Sequence, residues 1–177
     1  AAQVVSYTTG PYAGREIAFC YCGSQGLKIL DVTNKANMFT MGSLIYPNTS
    51  YCHQGWLTAD RRHVLINDEL DEQNLPNVNT TTTYVVNVEN LSSPQFVTTF
   101  TNGQPTIDHN LMIRNYNTAS GLRSFVFEAN YTSGLRVYDI ANQFEPRQVG
   151  YFVPPPPERL VDIRPNTAKV IRSCDVF

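Results

Sequence analysis

The feature that most constrains this chain is a strand written three times. Gly26-Leu27-Lys28-Ile29-Leu30-Asp31-Val32, Thr82-Thr83-Tyr84-Val85-Val86-Asn87-Val88 and Gly134-Leu135-Arg136-Val137-Tyr138-Asp139-Ile140 align without gaps. With Asp31, Asn87 and Asp139 as equivalent points, the steps are 56 residues (31 to 87) and 52 residues (87 to 139). A second short strand is expected after each copy, at residues 39–44, 96–100 and 148–153. Pro94 and Pro146 occupy the same place in the second and third copies, where Met38 stands in the first. Repetition at such a period means that one supersecondary unit is copied and buries its apolar face against its neighbours.

Another element repeats alongside. Cys52-His53-Gln54-Gly55-Trp56-Leu57 answers to Asp108-His109-Asn110-Leu111-Met112-Ile113, with the two histidines 56 positions apart. Each is followed by a turn and an apolar strand ending in acid, Val64-Leu65-Ile66-Asn67-Asp68-Glu69 and Ser124-Phe125-Val126-Phe127-Glu128. Small polar residues and glycine mark the reversals, as in Ser24-Gln25-Gly26, Ala59-Asp60-Arg61-Arg62, Asn115-Tyr116-Asn117 and Thr132-Ser133-Gly134. Each unit therefore predicts four strands in the order His strand, acid-ended strand, Leu-x-Ile-x-Asp strand, outer strand. Four antiparallel strands per repeat make the blade of a β-propeller. The expected fold is all-β, one β-propeller-like domain with repeats at 14–49, 50–101 and 106–153, then a Pro-rich connector and partial strand at 154–177.

Residues 70–82 are polar and Asn-rich and read as an exposed loop. Pro154-Pro155-Pro156-Pro157 lacks N–H donors for a sheet interior and reads as an extended connector. Closed propellers typically need at least four blades, so three would leave the first and last sheets open to association. Residues 3–9 and 169–177 are strand-like and are each expected to complete a blade begun elsewhere. That expectation points to an oligomer, a head-to-tail ring or filament, or a fragment of a longer chain. The Ala1-Ala2 start is compatible with a processed terminus or with the edge of such a fragment.

The residues also exclude partners. A net charge of -2 without a basic cluster gives no footprint for nucleic acid. No apolar run approaches the ~20 residues needed to cross a bilayer as a helix. The sequons at Asn48, Asn79, Asn90 and Asn130 point to an extracellular glycoprotein, secreted or at the cell surface. Three of them fall at expected turns; Asn130 does not. Cys20, Cys22, Cys52 and Cys174 lack the spacing of a zinc ribbon, which leaves disulfides or buried free thiols. Cys52 takes the place of Asp108 and Cys20 the place of Glu128, which would suit a Cys20–Cys52 bridge in place of a polar brace.

In a propeller, equivalent positions of successive blades point towards one axis. His53, Asp68, Glu69, Asp108, His109 and Glu128 are therefore the candidate metal ligands. Oxygen ligands would suit Ca2+, and paired imidazoles another divalent metal of the transition series. The plainer alternative is that each forms a buried hydrogen bond bracing blade to blade. Asp68-Glu69-Leu70-Asp71-Glu72 lacks the spacing and glycine of an EF-hand and reads as an exposed acidic turn. No Gly-x-Ser-x-Gly elbow and no Gly-rich phosphate loop are present, so no catalytic residue is assigned. Trp56 suits a core position better than a carbohydrate platform.

Several of these segments resemble the extracellular choice-of-anchor B family, whose propeller repeats are named for an LVIVD-like strand. They are Gly14-Arg15-Glu16-Ile17, Ile29-Leu30-Asp31-Val32-Thr33-Asn34-Lys35, His53-Gln54-Gly55-Trp56-Leu57-Thr58, Asn67-Asp68-Glu69-Leu70-Asp71-Glu72, Ile107-Asp108-His109-Asn110-Leu111 and Asn130-Tyr131-Thr132-Ser133-Gly134-Leu135. The resemblance spans roughly residues 14–153 and implies a secreted or surface-anchored propeller without an established activity. Two functions follow: a module that binds a protein or glycan partner or copies of itself, and a metal-dependent hydrolase acting through the His and carboxylate ring.

Overall fold

The computed structural model describes residues 1–155 and 173–176. These residues form twelve strands and one short helix: β1 (Ala2–Ser6), β2 (Glu16–Tyr21), β3 (Leu27–Asp31), β4 (Phe39–Leu44), β5 (Cys52–Leu57), β6 (His63–Asp68), α1 (Asp71–Asn74), β7 (Thr83–Asn87), β8 (Gln95–Phe100), β9 (Asn110–Thr118), β10 (Gly121–Asn130), β11 (Gly134–Asp139) and β12 (Arg147–Phe152). They form three four-stranded sheets, β1–β4, β5–β8 and β9–β12, each in sequence order. All pairings are antiparallel. No helix of the described residues is long and apolar enough to cross a membrane.

The strand order within each sheet is the one expected from the repeat, and the irregularities repeat too. Between the third and fourth strands of every sheet the register shifts once, at Ile29/Leu30, Val85/Val86 and Val137/Tyr138. Those points share the spacing of Asp31, Asn87 and Asp139, so the bulge is part of the copied unit. Glycine opens the third strand in the first and third sheets for a steric reason. Gly26 (φ 66°) and Gly134 (φ 73°) have left-handed backbones, and a Cβ on either would lie 2.2 Å from the carbonyl oxygen of Leu44 or Phe152.

The middle sheet is covered on both sides. Every residue of β6 is buried. Val64 and Ile66 join a core with Ile17, Phe19, Leu27 and Ile29 of the first sheet, whereas Leu65 turns to a second core with Leu111, Ile113 and Val126 of the third. Full burial of each such side chain contributes about 1.5–3 kcal/mol. Trp56 packs against the second core, as expected for a core residue. The first strands of the sheets lie side by side, with β5 against both β1 and β9. Glutamines stitch their edges: the Leu57 N–H donates to Gln3 Oε1 and the Leu111 N–H to Gln54 Oε1, both at 2.8 Å.

Several expectations are corrected. Residues 3–9 do not complete a unit begun elsewhere, because β1 pairs with β2 and supplies the first strand of its own sheet. Repeat one therefore begins before residue 14. Residues 70–82 are not simply an exposed loop: Asp71 heads α1, and Asp71, Val78 and Thr81 are buried. Nor is the acidic stretch an exposed turn, since Asp68 and Asp71 are both 0% exposed. Cys20, Cys22, Cys52 and Cys174 are all free thiols. Strand alternation explains why Cys20 and Cys52 do not meet. Ile17, Phe19 and Tyr21 of β2 face the core that holds Cys52, and the intervening Cys20 side chain faces away. Burial pushes the Cys52 thiol up to about 12. Asn48, Asn79 and Asn90 are exposed, but Asn130 is fully buried with its amide donating to Glu128 Oε2, which leaves a glycan no exit there. Most of the Pro-rich connector and of 169–177 lies outside the described residues.

Candidate metal centre

The repeat delivers two histidines to one place. His53 stands on β5 and His109 immediately before β9, and their ring centroids are 4.2 Å apart. Glu69 follows β6, held there by its N–H donating to the Tyr51 carbonyl at 3.1 Å. Its Oε2 lies 3.7 Å from His53 Nε2, and its Oε1 lies 3.5 Å from His109 Nε2.

The other nitrogen of each ring fixes the tautomer. His53 Nδ1 faces the backbone carbonyl of His109 at 3.3 Å, and His109 Nδ1 faces the carbonyl of Cys174. A carbonyl oxygen only accepts, so each Nδ1 carries the hydrogen, and in the neutral ring each Nε2 presents a lone pair towards Glu69. Burial, followed by the neighbouring His109, holds the His53 pKa below its ordinary value and favours that neutral form. The His53–Glu69 approach is then a lone pair beside a carboxylate, which a cation between them would make attractive.

One ligand atom from each of the three residues lies within 4.8 Å of the other two. In a tetrahedral zinc site, metal–ligand distances near 2.0–2.2 Å put neighbouring ligand atoms roughly 3.3 Å apart. The observed separations need only small side-chain adjustment to meet that. The side chains are 23%, 21% and 16% exposed for His53, Glu69 and His109, so a fourth position can be reached from solvent. Tyr131 Oη donates to Glu69 Oε1 at 2.6 Å and orients the carboxylate. Backbone carbonyls on the imidazoles and a hydroxyl on the carboxylate are the outer supports that ligands of a bound metal have.

The remaining predicted ligands do not join them. Asp68 is held by three donors of its own: its Oδ2 accepts from Tyr46 Oη at 2.8 Å and from the Ser50 N–H at 2.9 Å, and its Oδ1 accepts from the Tyr51 N–H. Glu128 is a brace between the second and third sheets, accepting from Thr83 Oγ1 at 2.7 Å and from Asn130 Nδ2. Burial raises its pKa to about 7, against hydrogen bonds from Thr83 and Asn130 that lower it. Asp108 belongs to a different group, with Asp71 and Glu72 of α1.

No family model matches the chain, and no curated protein matches it. Its chemistry is therefore read from the residues alone. Asp71, Glu72, Tyr131 and the Cys174 carbonyl escaped the ligand assignment made from sequence. They lie outside the aligned His and acid positions, so the repeat carried no signal for them.

The far edge of the third sheet continues the pattern. Ser173 bridges Tyr131 as Cys52 bridges Gly23. Gly23 and Tyr131 stand three residues before Gly26 and Gly134, so Ser173 occupies the place of Cys52 and Cys174 the place of His53. The His109 Nδ1 contact to Cys174 then repeats the His53 Nδ1 contact to His109.

Proposed function

We propose that the chain is part of an extracellular β-propeller that binds a divalent transition metal at His53, His109 and Glu69 and acts as a binding and assembly module. The observation that carries the metal is the pair of Nδ1 contacts to carbonyls, which turn both Nε2 lone pairs onto one carboxylate. Zinc suits this nitrogen and oxygen set best. The propeller is supported by the copied sheets, the side-by-side first strands, and the start of a further unit at residues 173–176. Along that edge Asn110 takes the place of Gln54, and its Oδ1 is buried without a donor among the described residues. Gln54 Oε1 accepts from the Leu111 N–H of the next sheet, whereas the Val176 N–H, in the place of Leu111, donates to Asp175 Oδ1, to which Asn110 Nδ2 also donates. The remaining blades come from further sequence or a second copy. Three exposed sequons, Asn48, Asn79 and Asn90, support an extracellular location, and the resemblance to choice-of-anchor B proteins agrees with it.

A second function is favoured by one observation. The three-ligand site is reachable, and a zinc held by two histidines and a glutamate keeps a position for water, as hydrolytic zinc does. Isothermal titration of the chelator-treated chain with zinc tests the metal directly. One site per chain is expected, lost in His53→Ala/His109→Ala; equal heats in both proteins would refute the assignment. Hydrolysis of activated esters or phosphates that appears with zinc and vanishes in the double variant would favour the hydrolase over the binding module.

A further inference from the structure

Asp71, Glu72 and Asp108 form a second cluster, built only from oxygen ligands. One carboxylate oxygen from each lies within 4.8 Å of the others. Asp108 is 0% exposed, and neither of its carboxylate oxygens has a hydrogen-bond partner among the described residues. Glu72 Oε2 is likewise buried without a donor. None of the three forms an ion pair with Lys, Arg or His among the described residues. Buried polar groups are almost always satisfied, and an unpaired buried carboxylate is among the costliest exceptions. Such a group is completed by protons on the carboxyls or by a bound cation.

The donors that are present orient the cluster without closing it. Tyr84 Oη donates to Asp71 Oδ2 at 2.6 Å, the Glu72 N–H to Asp71 Oδ1 at 2.9 Å, and the Thr82 N–H to Glu72 Oε1 at 3.1 Å. Each of these oxygens keeps a lone pair. Thr82 opens the repeated strand, and Asp108 precedes the repeated histidine, so the cluster is fixed to the copied framework on two sides.

We propose that Asp71, Glu72 and Asp108 bind a calcium ion, which joins α1 of the second unit to the strand that opens the third. Three hard carboxylates without nitrogen or sulfur select calcium or magnesium over zinc. Calcium accepts irregular sets of oxygen ligands at 2.3–2.6 Å, whereas magnesium demands a near-ideal octahedron at 2.0–2.1 Å. Asp68 and Glu128 add to the negative field at Asp108 without being ligands. This site is separate from the His53/His109/Glu69 centre and does not depend on it.

The test uses the full chain, stripped with chelator, in calorimetry and thermal melts with calcium or with magnesium. Calcium is expected to titrate one site and, at roughly a hundred times its Kd, to raise the melting midpoint by about 5–10 °C. Asp108→Asn keeps the shape while removing the buried charge, so it should melt at or above the calcium-free wild type and lose the calcium shift. Glu72→Gln, at a less buried position, is the second variant should Asp108→Asn not fold. The His53→Ala/His109→Ala protein should keep the full calcium response, which separates this site from the zinc site. Three outcomes would overturn the proposal: identical melts with calcium and with chelator and no heat, a calcium response undiminished in a folded variant, or a larger response to magnesium.

Discussion

Two carboxylate-bearing clusters lie at the junction of the second and third sheets, and they solve opposite problems. Around His53, Glu69 and His109, the polar atoms that face the protein have partners: carbonyls for both Nδ1 atoms and a tyrosine hydroxyl for the carboxylate. What remains free is a set of lone pairs near solvent. Around Asp71, Glu72 and Asp108, unpaired oxygens are buried among like charges. A half-open site with prepared ligands can be folded with or without its ion, because water serves the free positions. A closed site of bare carboxylates must take up either protons or a cation when the chain folds. Ion binding is thus an added property of the first cluster and part of the folding of the second.

The largest effect expected to separate them is the pH dependence of the metal-free chain. Desolvation raises Asp71, Glu72, Asp108 and Glu128 together. A carboxyl raised on folding binds its proton more tightly in the folded state. Its stabilisation is complete below the unfolded value and is lost as pH rises through the folded one. For Glu128, between the ordinary 4.5 and about 7, the loss is roughly 3 kcal/mol. His53 has the opposite sign, because its pKa is lowered on folding. Its contribution is present above its ordinary 6.5 and is lost as pH falls through the folded value. Chemical denaturation in chelator from pH 5 to 8 should therefore show a net fall in stability as pH rises, since the four raised acids outnumber the two lowered imidazoles, His53 and His63. Calcium should restore stability at pH 8 and have little effect at pH 5. A stability that rises across this range would put the protons elsewhere.

Much of this was legible in the sequence, and the rest was hidden for identifiable reasons. Alignment of Asp31, Asn87 and Asp139 placed the third strand of every sheet, and the match of His53 with His109 foretold two rings meeting across 56 positions. Equivalent residues converge because the sheets are copies. β1 was harder to place, since Gln3-Val4-Val5 lacks the His-Gln-Gly motif of β5 and its burial is only intermittent. Asp71 and Glu72 were misread because a run of acids usually marks solvent, and only the fold of α1 shows them turned inward. Cys20 and Cys52 aligned with a carboxylate pair, but alignment does not say which face of β2 a side chain takes.

A smaller effect sharpens the boundary between the clusters. Thr83 of β7 donates to Glu128 Oε1 across the two sheets, and Glu128 is the wall beside Asp108. Thr83→Val keeps the shape and removes the donor. Leaving a buried acceptor short of its partner costs about 1–3 kcal/mol, and more for a charged one. Because the Thr83 hydroxyl favours the ionised carboxylate, the cost should be larger at pH 8 than at pH 5. Denaturation curves at the two pH values measure it. An equal cost at both would mean that Glu128 stays in one protonation state throughout. Zinc affinity should not change, since the donor does not touch the histidine centre.

The smallest effect is expected at Tyr131, and it isolates orientation from ligation. Its hydroxyl donates to Glu69 Oε1, one of the two oxygens that face the histidine Nε2 atoms. Tyr131→Phe retains the ring beside His109, whose centroid is 5.2 Å away, so packing is preserved. What is lost is the hold on one carboxylate oxygen, and with it part of the preference for the geometry that suits a bound ion. Loss of such an outer partner costs roughly 10-fold in metal affinity, the lower end of the usual range. Zinc titration of Tyr131→Phe should show that drop with one site retained, while the calcium response stays at its wild-type size. A drop in both would couple the two clusters through Glu69. No drop in either would mean that the backbone of Glu69, fixed by its N–H to the Tyr51 carbonyl, already sets the carboxylate without help from the hydroxyl.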